Sequence, residues 1–308
     1  MISAVDIGGT KIAVAAVDPS GRVVARTEWS TLALAPQGAV ERIAQELSRL
    51  GHPFQGIGIG CTGPVDPFSG VVGKVDLLPG WEGCDLVRSL AAATGLTVAL
   101  ENDADAAAMA ESIWGAGKGA RCFLYVTVGT GIGVGMIFEG SLYRGVDGAH
   151  PEAGHQSLDP AGPLCYCGAS GCWESLASGP AMAHWFASIL NRASAPELTA
   201  HEICNLARQG DERARRAVER EAEYLGLGLA NLVSIFCPDI IALGGGLMES
   251  ADLFLPHVSQ KVRRLCSQVP AAKVAIVPAA LGGDAPLLGA AAVWLARFPK
   301  SESKISAA

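Results

Sequence analysis

The 308-residue chain has few aromatic residues and few charged residues, at 6% and 17% of the sequence. Acidic residues outnumber basic ones, the formal net charge is −7 at pH 7, and no block of Lys and Arg occurs anywhere. Nucleic-acid-binding proteins usually present such a block to the phosphate backbone. We therefore expect no nucleic-acid partner, and the lack of a basic amphipathic stretch argues against a membrane surface.

Long uninterrupted hydrophobic runs are also lacking. The longest uncharged stretch, residues 122–138, contains four glycines and two threonines, which indicates two strands joined by a turn rather than a membrane span. The first residues enter a strand pattern without a basic region, so we expect no export signal and a cytoplasmic protein. The nine cysteines are odd in number and mostly scattered, which argues against a disulfide framework.

What the sequence does have is hydrophobic residues, at 50%, and 38 glycines that occur in clusters. Two apolar runs, 2–7 and 12–17, flank the turn Gly8-Gly9-Thr10-Lys11, and runs 123–128 and 132–138 repeat this design around Gly129-Thr130-Gly131. This recurrence indicates duplication of one α/β unit, with a cleft between the copies. We predict the boundary between the copies at the glycine-rich segment 115–119, whose alternative interpretation is an ordinary loop.

The remaining patterns alternate between strands and helices, which predicts an α/β protein. We predict strands at 55–60, 96–100, 240–243 and 273–277, and helices at 38–50, 85–93, 104–114, 178–191, 199–208, 211–236 and 285–297.

Three glycine turns follow predicted strands and are candidates for binding phosphate or nucleotide. Backbone N–H groups of Gly8 and Gly9 could converge on an anion, Thr10 and Lys11 add donors, and Asp6 could hold a hydrated Mg²⁺. The turn with Thr130 and Gly131 offers the same chemistry, and Gly245 and Gly246 could form a platform for adenosine. Each turn also reads as a simple hairpin or strand-to-helix connection. None of them matches a P-loop or a dinucleotide fingerprint.

A candidate catalytic base lies in Glu101-Asn102-Asp103, between a predicted strand and a predicted helix. A carboxylate at the end of a strand can accept a proton from a substrate hydroxyl. Asn102 or Asp103 could equally serve as the helix N-cap, and both roles are compatible. We expect Asp105, inside the helix start, to be a surface charge favoured by the helix dipole.

One histidine and three cysteines form a candidate metal site. His155 is followed by Cys165, Cys167 and Cys172, a complete tetrahedral Zn²⁺ set with no open position, so the metal is expected to be structural. His150 is a weaker ligand candidate. Glu152 and Glu174 flank the cluster, and carboxylates fixed by the metal could accept hydrogen bonds from a small polyol. Alternatively, Glu152 and Glu174 are ordinary exposed glutamates without a role in binding.

Together these residues resemble the ROK family of sugar kinases and related repressors. The resemblance rests on Asp6–Lys11, Glu101–Asp103, the turn at 127–133 and, most specifically, on Glu152-Ala-Gly-His155 followed after nine residues by Cys165-x-Cys167-Gly-x-x-Gly-Cys172-Trp-Glu174. It spans about residues 3–297. It implies a two-lobed, actin-like (ribonuclease H-like) α/β ATPase fold with a central cleft. Residues 1–116 and 290–308 would form the small lobe, and residues 117–289 the large lobe with the zinc site.

The resemblance also implies ATP, Mg²⁺ and transfer of phosphate to a hexose 6-hydroxyl, most simply of glucose. Asp103 would be the base, and the sugar would be held by Gly63, Asn102, Glu152, His155 and Glu174. His155 would bind zinc through its other nitrogen. The phosphates would contact Gly8, Gly9, Thr10, Lys11, Thr130 and Gly131, and the adenosine Gly245 and Gly246. Family members are often homodimers or homotetramers.

Two departures from the family pattern affect function. Only five residues precede Asp6, where repressor members carry a DNA-binding motif, so DNA binding is not expected. Many sugar-kinase members have Asn where this chain has Leu77, which puts one sugar contact in doubt unless Asp76 replaces it. The alternatives are a kinase for N-acetylmannosamine, fructose or another hexose, a sugar-responsive sensor without turnover, or an ATPase that takes no sugar.

Overall fold

The computed structural model describes residues 1–31, 34–190 and 198–299, so the predicted tail 300–308 of the small lobe lies outside them. The described strands are β1 Ile2–Ile7, β2 Lys11–Val17, β3 Val23–Ser30, β4 Gly56–Cys61, β5 Val65–Asp66, β6 Val71–Val72, β7 Thr97–Asn102, β8 Cys122–Val128, β9 Ile132–Phe138, β10 Ser141–Leu142, β11 Ile240–Gly244 and β12 Ala275–Pro278. The described α-helices are α1 Pro36–Leu50, α2 Leu86–Thr94, α3 Asp103–Trp114, α4 Trp173–Ala177, α5 Gly179–Ile189, α6 Ala200–Arg208, α7 Glu212–Phe236, α8 Ala251–Leu265 and α9 Ala285–Arg297.

The chain divides into two compact units. Among the described residues, the first contains 1–31, 34–110, 146–149 and 284–299, and the second contains 111–145, 150–190 and 198–283. Both boundaries fall six residues before the predicted ones, 111 against 117 and 284 against 290. The reason at the first boundary is Glu111, whose carboxylate accepts the backbone N–H groups of Ala280 and Leu281 and so belongs to the second unit. The short segment 146–149 joins the first unit, which the sequence did not suggest.

The sheet of the first unit has the strand order β3-β2-β1-β4-β7. Strands β1 and β2 form the predicted antiparallel hairpin, with Ile7 opposite Ile12, while β4 and β7 run parallel to β1. Three parallel strands therefore end at the same edge of the sheet. One face of this sheet packs on α1 and α2 through a core that includes Ile57, Ile59 and Leu90.

Helix α9 packs against the opposite face of β4, and the glycines of β4 allow it to approach. Residues alternate between the two faces of a strand, so Gly56, Gly58 and Gly60 share one face. A Cβ atom on Gly58 would lie 1.7 Å from the carbonyl oxygen of Ala290. The repeated Gly-Ile pattern thus gives the strand one face for a hydrophobic core and another for close contact with a helix backbone.

The sheet of the second unit has the order β10-β9-β8-β11-β12, which is the order of the first sheet repeated. Its first three strands are antiparallel to their neighbours. Strand β11 runs parallel to β8, and β12 runs parallel to β11. The predicted duplication of one α/β unit is confirmed. Behind this sheet, the long helix α7 packs on α8 in a core that includes Phe254 and Val258.

The longest of the elements that were not predicted are β3 and α8. Strand β3 alternates between half-buried and exposed positions, but Trp29 is its one fully buried residue, so its sequence carries little hydrophobic signal. Helix α8 contains Pro256, which normally interrupts a helix and therefore hides the helical pattern. Within the described ranges, none of the helices is long and apolar enough to cross a membrane.

Candidate active site and metal centre

Four predicted site residues of the first unit lie at the carboxyl edge of its parallel strands. Asp6 is near the end of β1, Gly63 follows β4, Asn102 ends β7 and Asp103 begins α3. The Asn102 side-chain amide donates a hydrogen bond to the carbonyl oxygen of Gly63 at 3.1 Å. The sheet therefore brings these residues together although they are separated by up to about a hundred residues in the chain.

Asn102 is also the cap of helix α3. Its Oδ1 accepts the backbone N–H groups of Ala104 at 2.9 Å and Asp105 at 3.3 Å. The Asp103 carboxylate accepts the N–H of Ala104 at 2.9 Å through one oxygen. Asn102 and Asp103 therefore cap helix α3 and also lie at the candidate site. The expectation for Asp105 was wrong, because its side chain is fully buried in the first unit rather than exposed at the helix start.

Asp6 and Asp103 form a pair of carboxylates with unequal surroundings. Burial and the negative charge of Asp103 raise the pKa of Asp6 to about 7, and Lys11 lowers it in part. Burial, and then the charges of Asp103 and Asp6, raise the pKa of the Cys61 thiol well above its usual value. Like charges that face each other at a buried edge are a favourable setting for a cation or for proton transfer.

The turn between β1 and β2 is held in shape by Thr31. Its hydroxyl donates to the carbonyl oxygen of Gly8 at 2.7 Å, and its backbone N–H donates to Thr10 at 3.0 Å. The Lys11 ammonium pairs with Glu28 at 3.3 Å, and both side chains are about half exposed. Leu77 lies directly on this turn, since a Cβ atom on Gly9 would be 2.9 Å from the Cβ atom of Leu77.

The second unit holds the other glycine turns, and they are neighbours. Thr130 is exposed at the tip of the β8–β9 hairpin, and the N–H of Gly129 donates to Gly131 across it. A Cβ atom on Gly129 would lie 3.7 Å from the backbone nitrogen of Gly246. Gly245, with φ +86°, packs against the backbone of Val128. These contacts place the two predicted nucleotide turns side by side within one unit.

Glu174 is fixed against the same hairpin. Its Oε2 accepts the backbone N–H of Ile132 at 2.8 Å, and a Cβ atom on Gly131 would lie 2.2 Å from that oxygen. Glu174 stands in the first turn of helix α4, where a negative charge is favoured. Glu152 precedes the 3₁₀ turn Ala153–His155 and is exposed. Gly154 in that turn packs closely on the Ile132 carbonyl, which keeps the turn on β9.

The ligand atoms of His155, Cys165, Cys167 and Cys172 all lie within 4.8 Å of one another. His155 Nδ1 is 3.5 Å from the sulfur of Cys165, and the sulfurs of Cys167 and Cys172 are 3.5 Å apart. Tetrahedral zinc with bonds of about 2.0–2.3 Å requires ligand atoms about 3.5–3.8 Å apart. The two 3.5 Å separations match tetrahedral zinc, and the group as a whole is compact enough to close around one ion. His150 is not one of the four residues.

Tyr166, between two of the cysteines, is a site residue that the sequence reasoning missed. Its hydroxyl is 3.0 Å from His155 Nε2, and burial together with the carboxylates of Glu174 and Glu152 raises its pKa. The sequence Cys-Tyr-Cys could have predicted this, because a residue between two ligands of one metal lies close to that metal site. His155 Nε2, the ring nitrogen left to bind the sugar, therefore faces a phenol in this structure.

The predicted site residues thus form two sets. The first unit holds Asp6, Gly8, Gly9, Thr10, Lys11, Gly63, Asn102 and Asp103, and the second unit holds Thr130, Gly131, Glu152, His155, Cys165, Cys167, Cys172, Glu174, Gly245 and Gly246. Each set is ordered by the hydrogen bonds and close contacts of its own unit.

Comparisons with known proteins agree with this arrangement. The family model described as the ROK family matches residues 2–297. A glucokinase of Streptomyces coelicolor is 36% identical over 313 residues, which cover 96% of this chain and 97% of that protein. The family match over residues 2–297 includes every predicted site residue.

Two solved structures share the fold. A ROK hexokinase from Thermus thermophilus superposes with a TM-score of 0.84 at 35% identity, covering 96% of this chain and 98% of that one. A ROK glucokinase from Streptomyces griseus, in complex with glucose and AMPPNP, gives a TM-score of 0.83 at 35% identity, with coverage of 96% and 99%. The predicted two-lobed actin-like α/β fold is confirmed. With its repeated sheets, its ordered carboxylates, its His/Cys₃ group and this family match along nearly its whole length, the chain belongs to the ROK family.

Proposed function

We propose that this chain is a hexose kinase that transfers the γ-phosphoryl group of ATP to the 6-hydroxyl of glucose. The observation that carries the proposal is the Asp103 carboxylate, held at the sheet edge beside Asp6 and Asn102. Relatives at 35–36% identity are a glucokinase of Streptomyces coelicolor and a glucokinase solved with glucose and AMPPNP. The enzyme class is therefore an ATP-dependent sugar phosphotransferase.

In this mechanism, Asp103 accepts the proton of the attacking sugar hydroxyl. One Asp103 oxygen is bound to the helix N-terminus, which fixes the orientation of the carboxylate. The sugar is held by Asn102 and Gly63 in the first unit and by Glu152, His155 and Glu174 in the second. Phosphoryl transfer depends on positioning and electrostatics more than on covalent chemistry, so fixed side chains are what the protein contributes.

The phosphates of ATP would contact the turn Gly8–Lys11 and the turn with Thr130 and Gly131. Gly245 and Gly246, which pack beside the second turn, would receive the adenosine. The Asp6 carboxylate is a hard oxygen ligand in a buried, negatively charged position, which suits Mg²⁺. When bound, Mg²⁺ neutralises phosphate charge, and the backbone of the two turns donates hydrogen bonds to the phosphate oxygens.

Zinc would be held by His155, Cys165, Cys167 and Cys172, and with four protein ligands its role is structural. The protein contributes a loop fixed at both ends, with the 3₁₀ turn before it and helix α4 after it. That arrangement sets the positions of Glu152 and Glu174. The proposal also includes a cytoplasmic location, where ATP is available, and an assembly of two or four identical chains.

The test is a coupled assay for ADP release over a panel of glucose, N-acetylmannosamine, mannose, glucosamine and fructose, with ATP and polyphosphate as donors. We expect the highest kcat/KM with glucose and ATP. Leu77 cannot make the hydrogen bonds of the Asn side chain that many family members have at this position. A broad preference among hexoses would therefore be attributed to Leu77. ATP hydrolysis that no sugar stimulates would support the ATPase alternative and contradict the proposal.

The Asp103→Asn variant tests the catalytic base. We expect kcat to fall by about 10²- to 10⁴-fold, since general-base catalysis contributes about this much. Glucose should still bind, because Asn102 and the second-unit residues are untouched, and calorimetry without ATP measures this. The Glu219→Gln variant, exposed on helix α7, is the control, and Asp76→Asn shows separately whether Asp76 contacts the sugar. Near-normal turnover in Asp103→Asn would remove Asp103 from the role.

A further inference from the structure

Tyr166 combines high exposure with a specific hydrogen bond. Its side chain is 75% exposed, yet its hydroxyl lies 3.0 Å from His155 Nε2, and the two rings meet edge to face at 5.1 Å and 86°. Burial and the nearby Glu174 carboxylate raise the pKa of the phenol. The phenol therefore contacts one of the three second-unit residues assigned to the sugar, His155, and lies near a second, Glu174.

The direction of this hydrogen bond follows from the metal site. His155 Nδ1 faces the thiol group of Cys165, so Nε2 carries the ring proton and donates to the phenol oxygen. The phenol proton is then free to be donated to the Glu174 carboxylate, which only accepts. A sugar hydroxyl placed between His155 and Glu174 would make two hydrogen bonds, accepting from the imidazole and donating to the carboxylate.

We propose that Tyr166 occupies a hydroxyl subsite of the sugar pocket in the sugar-free enzyme, and that the hexose displaces it on binding. This inference rests on the proposed function. The ring has few neighbours beyond His155, because three quarters of its surface is exposed. Rotation about its side-chain torsions can move the hydroxyl into solvent without disturbing Cys165 or Cys167. Tyr166 then sets how tightly a hexose binds.

Displacement has a measurable consequence, since the sugar must break the phenol hydrogen bond to His155 before it forms its own. A typical net hydrogen bond corresponds to a change of about two- to tenfold in an equilibrium constant. Removing the Tyr166 hydroxyl should therefore lower the Kd and KM for glucose by about two- to tenfold. The effect should appear in Kd and KM rather than in kcat, because in this mechanism the phenol does not contact the proton that Asp103 accepts.

The experiment compares Tyr166→Phe and Tyr166→Ala with the wild-type enzyme in the zinc-loaded state. Tyr143→Phe is the matched control, since Tyr143 is a half-exposed tyrosine of the same unit that packs edge to face on Phe138 and is not part of the zinc loop. Glucose Kd is measured by calorimetry without ATP, and KM and kcat by coupled assay. Zinc content per chain shows whether each variant keeps the loop.

A lower Kd and KM in both Tyr166 variants, with Tyr143→Phe at wild-type values, is the expected result. An unchanged or higher Kd in Tyr166→Phe overturns the proposal, because the phenol would then be neutral or a sugar contact. If the wild-type enzyme phosphorylates no hexose, the proposed function fails instead.

Crystal structures of the wild-type enzyme provide a second measurement that needs no variant. With glucose bound, Tyr166 should have left His155 Nε2, and a glucose hydroxyl should lie within hydrogen-bond distance of that nitrogen. Retention of the phenol on His155 in the glucose complex contradicts the proposal, even if the variants lose zinc or fail to fold.

Discussion

Burial and hydrogen bonding decide how individual carboxylates behave in this molecule. Burial and the Asp103 charge raise the pKa of Asp6 to about 7, whereas two backbone N–H groups, of Cys122 and Arg121, hold the pKa of the exposed Asp239 below its usual value. Glu221 in helix α7 is the extreme case. Its side chain is fully buried without a hydrogen-bond partner, and burial raises its pKa well above the usual value.

The Glu221→Gln variant should be more stable than the wild type at pH 8 and equally stable near pH 4. The unfolded chain releases the Glu221 proton above about pH 4.3, while the folded protein keeps it. Wild-type stability is therefore lost at up to about 1.4 kcal/mol per pH unit between that pH and the raised native pKa. Thermal unfolding at several pH values measures the difference.

Glu219→Gln is the control for that comparison, because Glu219 is exposed on the same helix. Its stability should follow the wild-type curve at every pH. An equal gain for Glu221→Gln at pH 4 and pH 8 would show that the buried side chain does not retain a proton.

Among the elements, the segment 150–172 has little regular structure beyond the turn Ala153–His155. Hydrophobic residues on it are exposed, including Leu164 at 77%. Such a loop has too little buried surface to order itself, so the four ligands must supply the free energy that fixes Glu152 and His155.

The Cys167→Ser variant should lose zinc and bind glucose more weakly. Metal analysis should find one zinc per chain in the wild type and much less in the variant, with KM for glucose raised at least several-fold because Glu152, His155 and Glu174 lose their fixed positions. Cys237→Ser is the control, since Cys237 is an exposed cysteine outside the cluster. A zinc-free enzyme with unchanged KM would refute the structural role of the metal.

The contact between β4 and α9 gives a second prediction at this scale. Gly58→Ala places a methyl group 1.7 Å from the Ala290 carbonyl oxygen, so helix and strand must separate. Overpacking of this kind costs about 1–3 kcal/mol or more, which denaturant unfolding measures. Gly283→Ala is the control, because nothing lies within 4 Å of the added atom. Equal stability of the two variants would show that α9 does not pack as described.

The molecule as a whole contains the same strand order twice, once in each unit. The proposed substrate contacts are divided between the units, with the base in the first and the zinc-supported carboxylates in the second. A sugar that binds the native protein and not the unfolded chain should stabilise it by mass action.

Glucose should raise the thermal midpoint of the wild-type protein. At a concentration of about 100 times Kd, the native state gains about 2.7 kcal/mol, which corresponds to several degrees. Differential scanning calorimetry with glucose, and with glycerol at the same concentration as the control, measures this. Asp103→Asn should keep the shift and Glu174→Gln should lose most of it. No shift in the wild type would contradict sugar binding.

Much of this architecture could be predicted from the sequence, because the decisive signals are local. The two Gly-Thr hairpins, the helices 104–114 and 211–236, and the His/Cys₃ spacing all depend on residues close in the chain. The prediction for Asp105 failed because burial depends on what packs over a helix start, and α8 was missed because Pro256 hides its pattern.

The sequence by itself determined which chemistry this protein carries, since ligand type, ligand spacing and glycine turns follow from residue identity over short distances. Tertiary structure alone decided that burial and Asp103 raise the pKa of Asp6, that Glu174 accepts the backbone N–H of Ile132, and that the Tyr166 hydroxyl lies on His155. The physical reason is that these contacts join different strands and loops, so they exist only after sheet register and helix packing have fixed the chain in space.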